Sequence, residues 1–476
     1  MEARPPDALV VGSGPNGLAA AVVLAEAGLR VLVRERAAVI GGGARTLPLT
    51  LPGFLHDPCS AIHPLAVASP LFRRLPLAAH GLDWIESPAA VAHPFDDGTA
   101  ALLLRSTRET GAGLGVDGAA WARLLGPLAD RFEPLLGELL GPVIHRPRRP
   151  ILLARFGLRA LLPAAALARA AFRGPRARAL FAGLAAHAGV PLEAPGSAAF
   201  GLVLGAAGHA VGWPFPAGGA GRIAGALAGH LSALGGRIEA GAEVRALEDP
   251  AARAILLDLA PRAALEVAGD RLPPRYARRL SAFRPGPGAF KLDWALDGPI
   301  PWRARECALA ATVHLGGTLE EIAAAEAAVA GGAAPTRPFV LLAQHTLFDP
   351  SRAPPGRHTA WAYAHVPTGF AGDATREIEA QIERFAPGFR ERILARAVRG
   401  PIELERENPN LVGGDVGGGA NRLGQLLFRP APARVPWRTP ARGLYLCSAS
   451  TAPGGGVHGM CGLHAARTAL RDLWGR

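Results

Sequence analysis

The chain of 476 residues is poor in lysine, in aromatic side chains and in charge. Lys291 is its only lysine, so the other 50 of the 51 basic residues are arginines, and the formal net charge is +12. Aromatic residues make up only 6%, which leaves few platforms for stacking on bases, and we therefore expect no nucleic-acid partner. The positive charge fits an anionic membrane surface or an acidic ligand better, although a genomic bias toward arginine explains it equally well.

Cysteine is also scarce, and its spacing excludes two kinds of site. Cys59, Cys307, Cys447 and Cys461 form no C-x-x-C pair, so we expect neither a disulfide framework nor a zinc site, and we predict a reducing, cytoplasmic location. Elsewhere no His, Cys or carboxylate spacing predicts a metal. Charged residues reach 19%, below the roughly 25% of average soluble proteins, which indicates a globular chain with an apolar surface somewhere.

Long apolar runs are absent as well. The longest, residues 198–207, is interrupted by glycines and is about half the ~18 residues that suggest a membrane-spanning helix. The N-terminus leads directly into a strand pattern, so we expect no signal peptide. We therefore expect a protein that lies at most on the inner face of a membrane.

A dinucleotide-binding motif opens the sequence. The apolar run 8–11 is followed by Gly12-Ser13-Gly14-Pro15-Asn16-Gly17 and then by an apolar helical pattern over 18–27. In G-x-G-x-x-G the first glycine permits the turn, the second lets the backbone approach a pyrophosphate, and the third allows helix–strand packing. The helix N-terminus then faces the phosphates.

An acidic residue follows at the expected distance. Glu35 comes 23 residues after Gly12, beyond a second strand over 30–33, where a carboxylate receives the ribose hydroxyls. Arg34 and Arg36 flank it and suit a 2′-phosphate, but Glu35 would repel that group. We expect an unphosphorylated ribose.

Two further glycine-rich stretches extend this site. Residues 41–43 precede Ala44 and Arg45, which offers a cationic contact to a diphosphate. Near the C-terminus a strand at 443–447 runs into a glycine-rich turn before a helix over 463–473, again an anion-binding geometry. Sites at both chain ends imply one long cofactor and favour FAD over NAD.

These blocks, with Gly218-Gly219-Ala220-Gly221-Arg222 between them, resemble the phytoene dehydrogenase-like flavoproteins of the carotenoid desaturase and amine oxidase superfamily. Ser448, Ser450 and Ala452 depart from the family pattern, which weighs against a true carotenoid substrate. The resemblance implies an α/β fold, with a Rossmann-type, glutathione-reductase-like FAD domain on a parallel sheet, a smaller antiparallel sheet, and a discontinuous α+β substrate domain. The implied FAD domain comprises 1–75, 215–261 and 411–476, and the substrate domain 76–214 and 262–410.

The resemblance also implies two strands, over 236–239 and 242–247, and places the backbone of Val244 at the adenine. Motifs and resemblance together give the following predicted cofactor-binding residues: Gly12, Gly14, Pro15, Asn16, Gly17, Glu35, Arg36, Gly42, Gly43, Ala44, Arg45, Val244, Ser448, Gly455, Gly456 and Val457. In the loop 413–419, Asp415 either binds ribityl hydroxyls or caps a helix.

The substrate half contains a basic insert. Residues 145–180 hold nine arginines, no acid and several apolar clusters. A cationic amphipathic segment of this kind binds anionic membrane surfaces. The alternative is a solvated basic face packed on the domain core or at a dimer interface.

Four residues are candidates for chemistry or substrate contact. Lys291, in a strand pattern over 289–296, resembles the lysine that amine-oxidase-like flavoenzymes direct through a water toward flavin N5; the alternative is an edge-strand lysine paired with Asp293. His458 follows the C-terminal glycine turn and is either catalytic, a hydrogen-bond partner of the cofactor or a structural cap. His209 and Trp213 are predicted to line the substrate cavity, with core packing as the alternative.

The combined prediction is an FAD-dependent oxidoreductase that desaturates or dehydrogenates a hydrophobic, isoprenoid- or acyl-like small molecule. Hydride passes to flavin N5 and oxygen or another acceptor reoxidises the flavin. Three alternatives stay open: a redox-neutral double-bond isomerase or saturase, an amine oxidase, and a non-catalytic FAD-containing membrane scaffold. The oligomeric state is left open.

Overall fold

The computed structural model describes residues 5–142, 144–247 and 252–476. Its strands, in chain order, are β1 (Ala8–Val11), β2 (Val31–Glu35), β3 (Trp84–Ile85), β4 (Ala89–Pro94), β5 (Ala100–Leu104), β6 (Phe215–Pro216), β7 (Arg237–Ala240), β8 (Ala254–Leu257), β9 (Gly288–Leu296), β10 (Thr312–Leu315), β11 (Val340–Ala343), β12 (His358–Val366), β13 (Ile393–Arg399) and β14 (Leu444–Leu446). Its α-helices are α1 (Pro15–Glu26), α2 (Pro64–Val67), α3 (Thr107–Gly113), α4 (Gly118–Ala129), α5 (Phe132–Leu139), α6 (Pro150–Ala160), α7 (Ala164–Ala171), α8 (Pro175–Ala186), α9 (Ala198–Ala210), α10 (Gly221–Ala233), α11 (Pro261–Ala268), α12 (Pro274–Ser281), α13 (Leu319–Ala330), α14 (Thr375–Phe385), α15 (Pro401–Glu407), α16 (Leu423–Leu427) and α17 (Met460–Trp474).

Short apolar strands from distant parts of the chain form a parallel sheet. Its order is β14-β8-β1-β2-β7, and every neighbouring pair is parallel. β1 and β8 are buried along their whole length, because α1 and α17 cover one face and α11 and α12 the other. Such two-sided cover is what a parallel sheet of apolar strands requires.

The strands of this sheet come from the three segments assigned to the FAD domain. β1 and β2 lie within 1–75, β7 and β8 within 215–261, and β14 within 411–476. Both chain ends therefore meet in one layer, and α1 packs directly on α17. The predicted Rossmann-type domain on a parallel sheet is confirmed.

A second, seven-stranded sheet belongs to the other half of the chain. Its order is β13-β9-β12-β11-β10-β4-β5, antiparallel throughout except for the parallel pair β10–β4. Alternate residues of β9 such as Leu292 and Trp294 pack with Ile378 and Ile382 of α14 into a separate core. The opposite face of this mixed sheet is turned to the site described below.

Two local predictions about the FAD domain are wrong. Residues 242–247 form no strand; after β7 the chain turns at Gly241 (φ +71°) and crosses the end of β2, where the N–H of Ala242 donates to the carbonyl of Glu35 at 2.8 Å. Within the described ranges, the expected small antiparallel sheet is reduced to the two-stranded pair β3–β6, of which only β6 lies in the segments assigned to the FAD domain. The crossing segment is held by its bond to β2 rather than by a strand partner.

The basic insert is helical, as predicted, and folds into α6, α7 and the start of α8. Acids from outside the insert bind the backbone just before two of these helices: Glu138 accepts from the N–H groups of Arg148 and Arg149 before α6, and Asp117 from those of Arg173 and Gly174 before α8. Among the described residues no single helix is long and apolar enough to span a membrane; α6 and α7 meet the length and composition requirement only together, across a 98° bend.

Candidate functional site

A cavity of about 510 Å³ lies at the carboxyl ends of β1, β2 and β8. We call it the nucleotide cavity. Parallel sheets bind ligands at this edge, where loops and helix N-termini converge. The turn from β1 to α1, the end of β2 and the C-terminal glycine loop all line it.

The first turn has no room for side chains. Gly12 has a φ of +100°, and a Cβ on Gly17 would lie 2.2 Å from the carbonyl oxygen of Gly12. Gly14 is the N-cap of α1 and brings no side chain to it; in the first turn, among the described residues, only the N–H of Gly17 is bound by a side chain, that of Asp258. The helix N-terminus is therefore presented closely to any anion in the cavity.

Glu35 is held firmly at the end of β2. Its carboxylate accepts hydrogen bonds from the N–H of Ser13 at 2.8 Å, from Ser13 Oγ at 2.7 Å and from the N–H of Ala37 at 2.8 Å. The side chain lines the cavity, so its geometry suits a diol. Arg36 also lines the cavity, but its guanidinium donates to the carbonyl of Glu407.

The second glycine cluster touches the first. A Cβ on Gly42, whose φ is +55°, would lie 3.0 Å from the Cα of Gly14. Nearby, Arg45 Nε and Asn16 Oδ1 are buried without a partner among the described residues. A buried cationic donor beside a helix N-terminus suits a diphosphate, so the residues present fit a dinucleotide.

Fourteen of the sixteen predicted cofactor residues line this cavity: Gly12, Gly14, Pro15, Asn16, Glu35, Arg36, Gly42, Gly43, Ala44, Arg45, Val244, Ser448, Gly456 and Val457. The other two lie behind the lining. Gly17 packs against Gly12, and a Cβ on Gly455 would lie 2.3 Å from the carbonyl of Gly417. Both glycines allow backbone segments to approach, so their contribution to binding is indirect.

Asp258 is a lining residue that the sequence analysis missed. It follows β8 directly, and its Oδ2 accepts from the N–H of Gly17 at 2.9 Å. Burial raises the pKa of this carboxyl to about 7, and the neighbouring Glu35 adds to the effect. The sequence does contain a signal for it: Asp258 is the first polar residue after an apolar strand pattern, the position at which a side chain can face the glycine turn.

A second cavity of about 220 Å³ adjoins the first, and we call it the apolar cavity. The two share Cys59, Ser60, Ile62 and Val416 in their linings. Most other lining residues are aliphatic or aromatic, among them Trp213 and Leu204. A ligand in the apolar cavity would therefore lie next to one in the nucleotide cavity.

Two rows of side chains on the mixed sheet form one wall. Residues opposite each other on neighbouring strands share a face, and the register aligns Thr312, Ala343, Trp361 and Asp293 in one row. The second row, two residues along each strand, contains His314, Leu341, Tyr363, Lys291 and Arg399. Five strands thus contribute to one surface.

Lys291 lies in the lining of the apolar cavity. Its strand, β9, is flanked by β12 and β13, so the edge-strand alternative is wrong, although the expected pairing with Asp293 is present. Asp293 also accepts from Arg399, and Lys291 Nζ lies 5.2 Å from the ring centroid of Trp361. Burial lowers the pKa of Lys291 to about 7.

The contacts of His458 favour one of its three predicted roles. Its side chain lines neither cavity; Nδ1 accepts from the N–H of Met460 at 3.0 Å, at the start of α17. Burial lowers the pKa of this imidazole to about 4, which keeps it neutral as an acceptor. The geometry is that of the structural cap.

Of the two predicted substrate residues, one lies in the cavity. Trp213 lines the apolar cavity, whereas His209 accepts from Trp121 Nε1 at 2.9 Å within the helical core and lines neither cavity. The contacts of His209 are thus those of the core-packing alternative. Asp415 accepts from three backbone N–H groups, those of Gly286, Gly417 and Gly419, and so shapes its own loop.

Comparison with known proteins agrees with this arrangement. Residues 10–75 match the family model of an NAD(P)-binding Rossmann-like domain. The chain is 29% identical to pyridine nucleotide-disulfide oxidoreductase domain-containing protein 2 of Mus musculus, over 98% of this chain and 94% of that protein.

Solved structures with a similar fold include two amine oxidases. Wild-type putrescine oxidase bound to putrescine superposes with a TM-score of 0.62 at 19% identity, covering 99% of both chains. Cyclohexylamine oxidase from Brevibacterium oxydans gives 0.60 at 15% identity, covering 99% of this chain and 100% of that one. These likenesses confirm the predicted two-domain fold, and the comparisons together support the prediction of an FAD-dependent oxidoreductase.

Proposed function

We propose that this protein is an FAD-dependent oxidoreductase that dehydrogenates a hydrophobic small molecule, isoprenoid- or acyl-like in character. The observation that carries the proposal is the contact between the two cavities. One is built as a dinucleotide site, and the other is a mostly apolar chamber that opens beside it. When bound, FAD supplies a hydride acceptor.

The protein residues then have three tasks. Glu35 would hold the ribose hydroxyls and Arg45 the diphosphate of the cofactor. Trp213 and the aliphatic lining orient the substrate and exclude water. Lys291, with a pKa of about 7, is present in part as the free amine at neutral pH and can take up the proton that a dehydrogenated substrate releases.

The visible spectrum of the purified protein tests the proposal. We expect flavin absorption, retained or restored by added FAD, and anaerobic bleaching by hydrophobic extracts. Anaerobic turnover that consumes no external electron acceptor would favour the isomerase alternative. Absence of flavin bands after FAD is added would overturn the proposal.

Amine oxidation is the second candidate, favoured by the names of the structural neighbours and by the buried Lys291. Aromatic rings do line the apolar cavity, in Trp213, Trp361 and Tyr363.

We also propose that the basic insert binds an anionic membrane surface. α6 buries Leu152 and Phe156 but exposes Ile151 by 70% and Leu158 by 75%. The exposed residues Leu161 and Leu162 follow at the α6–α7 bend, and the arginines of the insert surround these side chains. Exposed apolar side chains among cations match the acyl and headgroup layers of a bilayer.

Flotation with liposomes containing an anionic lipid tests this partner. The full chain should float with anionic vesicles at low salt, and I151S/L158S should reduce the floated fraction severalfold. The double variant L394S/I402S, which removes two exposed apolar side chains elsewhere, should float as the unchanged protein does. No flotation at low salt would refute membrane binding.

A further inference from the structure

The apolar cavity contains polar atoms that the protein leaves without partners. Trp361 Nε1 and Thr312 Oγ1 are both buried and have no hydrogen-bond partner among the described residues. Both residues line the cavity, and both side chains are at least nine-tenths buried. An unsatisfied buried donor costs about 1–3 kcal/mol, so a bound ligand is the expected source of partners.

The register of the mixed sheet brings these two groups to the same surface. Thr312 pairs with Ala343, and Ala343 pairs with Trp361. The two residues therefore lie on one face, two strands apart, which separates their Cα atoms by roughly 10 Å. A single small molecule lying across Ala343 can reach both.

The chemistry of this surface is that of a hydrogen-bond donor. The indole N–H only donates, and the hydroxyl of Thr312 donates as readily as it accepts. Lys291 adds an ammonium group in its protonated form, and its Nζ already lies 5.2 Å from the ring centroid of Trp361. A ligand that meets these groups needs an accepting oxygen.

An organic cation is poorly matched to the same cavity. No Asp or Glu among the described residues lines it. Asp293, beside Trp361 on the same face, is already paired with Lys291 and Arg399, so an ammonium ligand finds no free counter-ion. The position near the Trp361 ring that would attract a cation is taken by Lys291. His187, the imidazole in the lining, donates to or accepts from His314 through Nε2 at 3.0 Å, and burial lowers its pKa to about 3.

Size restricts the ligand further. The cavity measures about 220 Å³, and an engineered apolar cavity of roughly 150 Å³ is known to bind benzene. It therefore has room for a six-membered ring or a short branched chain with one polar substituent.

We propose that the apolar cavity binds a compact apolar group bearing a hydrogen-bond-accepting oxygen, such as a ketone or an ester carbonyl, and discriminates against amines. The inference rests on the proposed function, because it takes this group to be the part of the substrate that lies next to the cofactor. It assigns Trp361 and Thr312 as specificity-determining residues.

Calorimetric titration of three probes with one ring size tests the proposal: cyclohexanone, cyclohexene and cyclohexylamine at pH 7. The FAD-loaded protein should bind cyclohexanone at least about tenfold more tightly than cyclohexylamine. W361F and T312V should each weaken cyclohexanone binding by about three- to tenfold, the effect of one hydrogen bond. Cyclohexene, which has no accepting oxygen, should lose less affinity than cyclohexanone in both variants, so comparing the two probes separates the lost hydrogen bond from the apolar surface that W361F also removes.

The matched controls are W474F and T336V. Trp474 lies at the end of α17 and Thr336 in an exposed loop, and neither residue lines a cavity, so both variants should bind all three probes as the unchanged protein does. Equal or tighter binding of cyclohexylamine, or unchanged cyclohexanone affinity in W361F and T312V, would overturn the inference.

The titrations are repeated on FAD-free protein. Failure to take up FAD refutes the proposed function, whereas loss of probe preference in flavin-loaded protein refutes only this inference.

Discussion

At the scale of single residues, Lys291 and Asp258 are both buried ionisable groups whose pKa values are moved toward neutrality, for the same physical reason. Burial removes water from the charged form, which lowers the pKa of an amine and raises that of a carboxyl. Lys291 reaches about 7 from 10.5, and Asp258 about 7 from 3.8. Each group lines one of the two adjoining cavities.

We predict that K291M lowers turnover by roughly 10²- to 10⁴-fold, the usual contribution of a positioned proton acceptor. The unchanged enzyme should gain activity as pH rises through about 7, where the free amine forms, and K291M should lack this limb. K291R, which keeps the charge but does not deprotonate, is the matched control and should lack it as well. Steady-state rates against pH measure the effect, and unchanged turnover in K291M would remove Lys291 from the reaction.

We predict that D258N changes how stability depends on pH. Because the pKa of Asp258 is raised in the folded protein, the unfolded chain releases this proton first, and stability falls as pH rises from about 4 to about 7. The slope is at most about 1.4 kcal/mol per pH unit. Asn keeps an acceptor for the N–H of Gly17 and cannot titrate.

Urea denaturation of both FAD-free proteins across this pH range gives the comparison. The difference in unfolding free energy, unchanged protein minus D258N, should decrease between pH 4 and pH 7 and then level off. Parallel curves would show that Asp258 does not titrate in this window.

At the scale of elements, strand register and helix ends decide which residues meet. β9 brings Lys291 beside Tyr363 of β12 and Arg399 of β13. Gly459, which precedes α17, lies in the left-handed region at a φ of +69°. The chain therefore turns there, and the His458 side chain accepts from the first N–H of the helix, that of Met460. The C-terminal glycine-rich turn thus supplies both residues that line the nucleotide cavity, Gly456 and Val457, and the helix cap His458.

We predict that H458A lowers the free energy of unfolding by about 1–2 kcal/mol, as expected for a lost N-terminal cap acceptor. H458N, whose side-chain oxygen can accept from the N–H of Met460, should lose less. Turnover per bound flavin should stay within about twofold in both variants. Denaturation and flavin-normalised rates test this, and a large fall in turnover in H458N would restore a catalytic role.

At the scale of the whole molecule, the nucleotide cavity joins distant segments. Its lining takes Gly14 and Glu35 from the N-terminal segment, Val244 from the middle and Gly456 from the C-terminal segment. A ligand bound there ties these segments together only in the folded state. Folding and cofactor binding are therefore coupled.

We predict that FAD raises the melting temperature of FAD-free protein in proportion to the logarithm of its concentration. At 100 times the dissociation constant the stabilisation is about 2.7 kcal/mol. R45M should require about 10- to 100-fold more FAD for the same shift, since it removes a charged donor to the diphosphate. R30M, whose surface arginine pairs with Asp7, should behave as the unchanged protein does.

The sequence alone determined the N-terminal part of the nucleotide site, because that part is local. The strand, the glycine turn, the helix and Glu35 lie within 30 residues, and covalent spacing fixes their geometry. Fourteen of sixteen predicted cofactor residues line the cavity. The fold of the nucleotide domain was implied by the family resemblance of this block together with those in the middle and near the C-terminus.

Only the tertiary structure decided the apolar cavity and the roles of isolated residues. Thr312, Trp361 and Lys291 are far apart along the chain and meet through cross-strand register, which no local pattern encodes. His458 and His209 carry the same chemistry as a catalytic imidazole, but their hydrogen bonds assign them to a helix end and to the core. Spacing along the chain determines local turns, whereas burial, partners and pKa depend on which distant segments pack together.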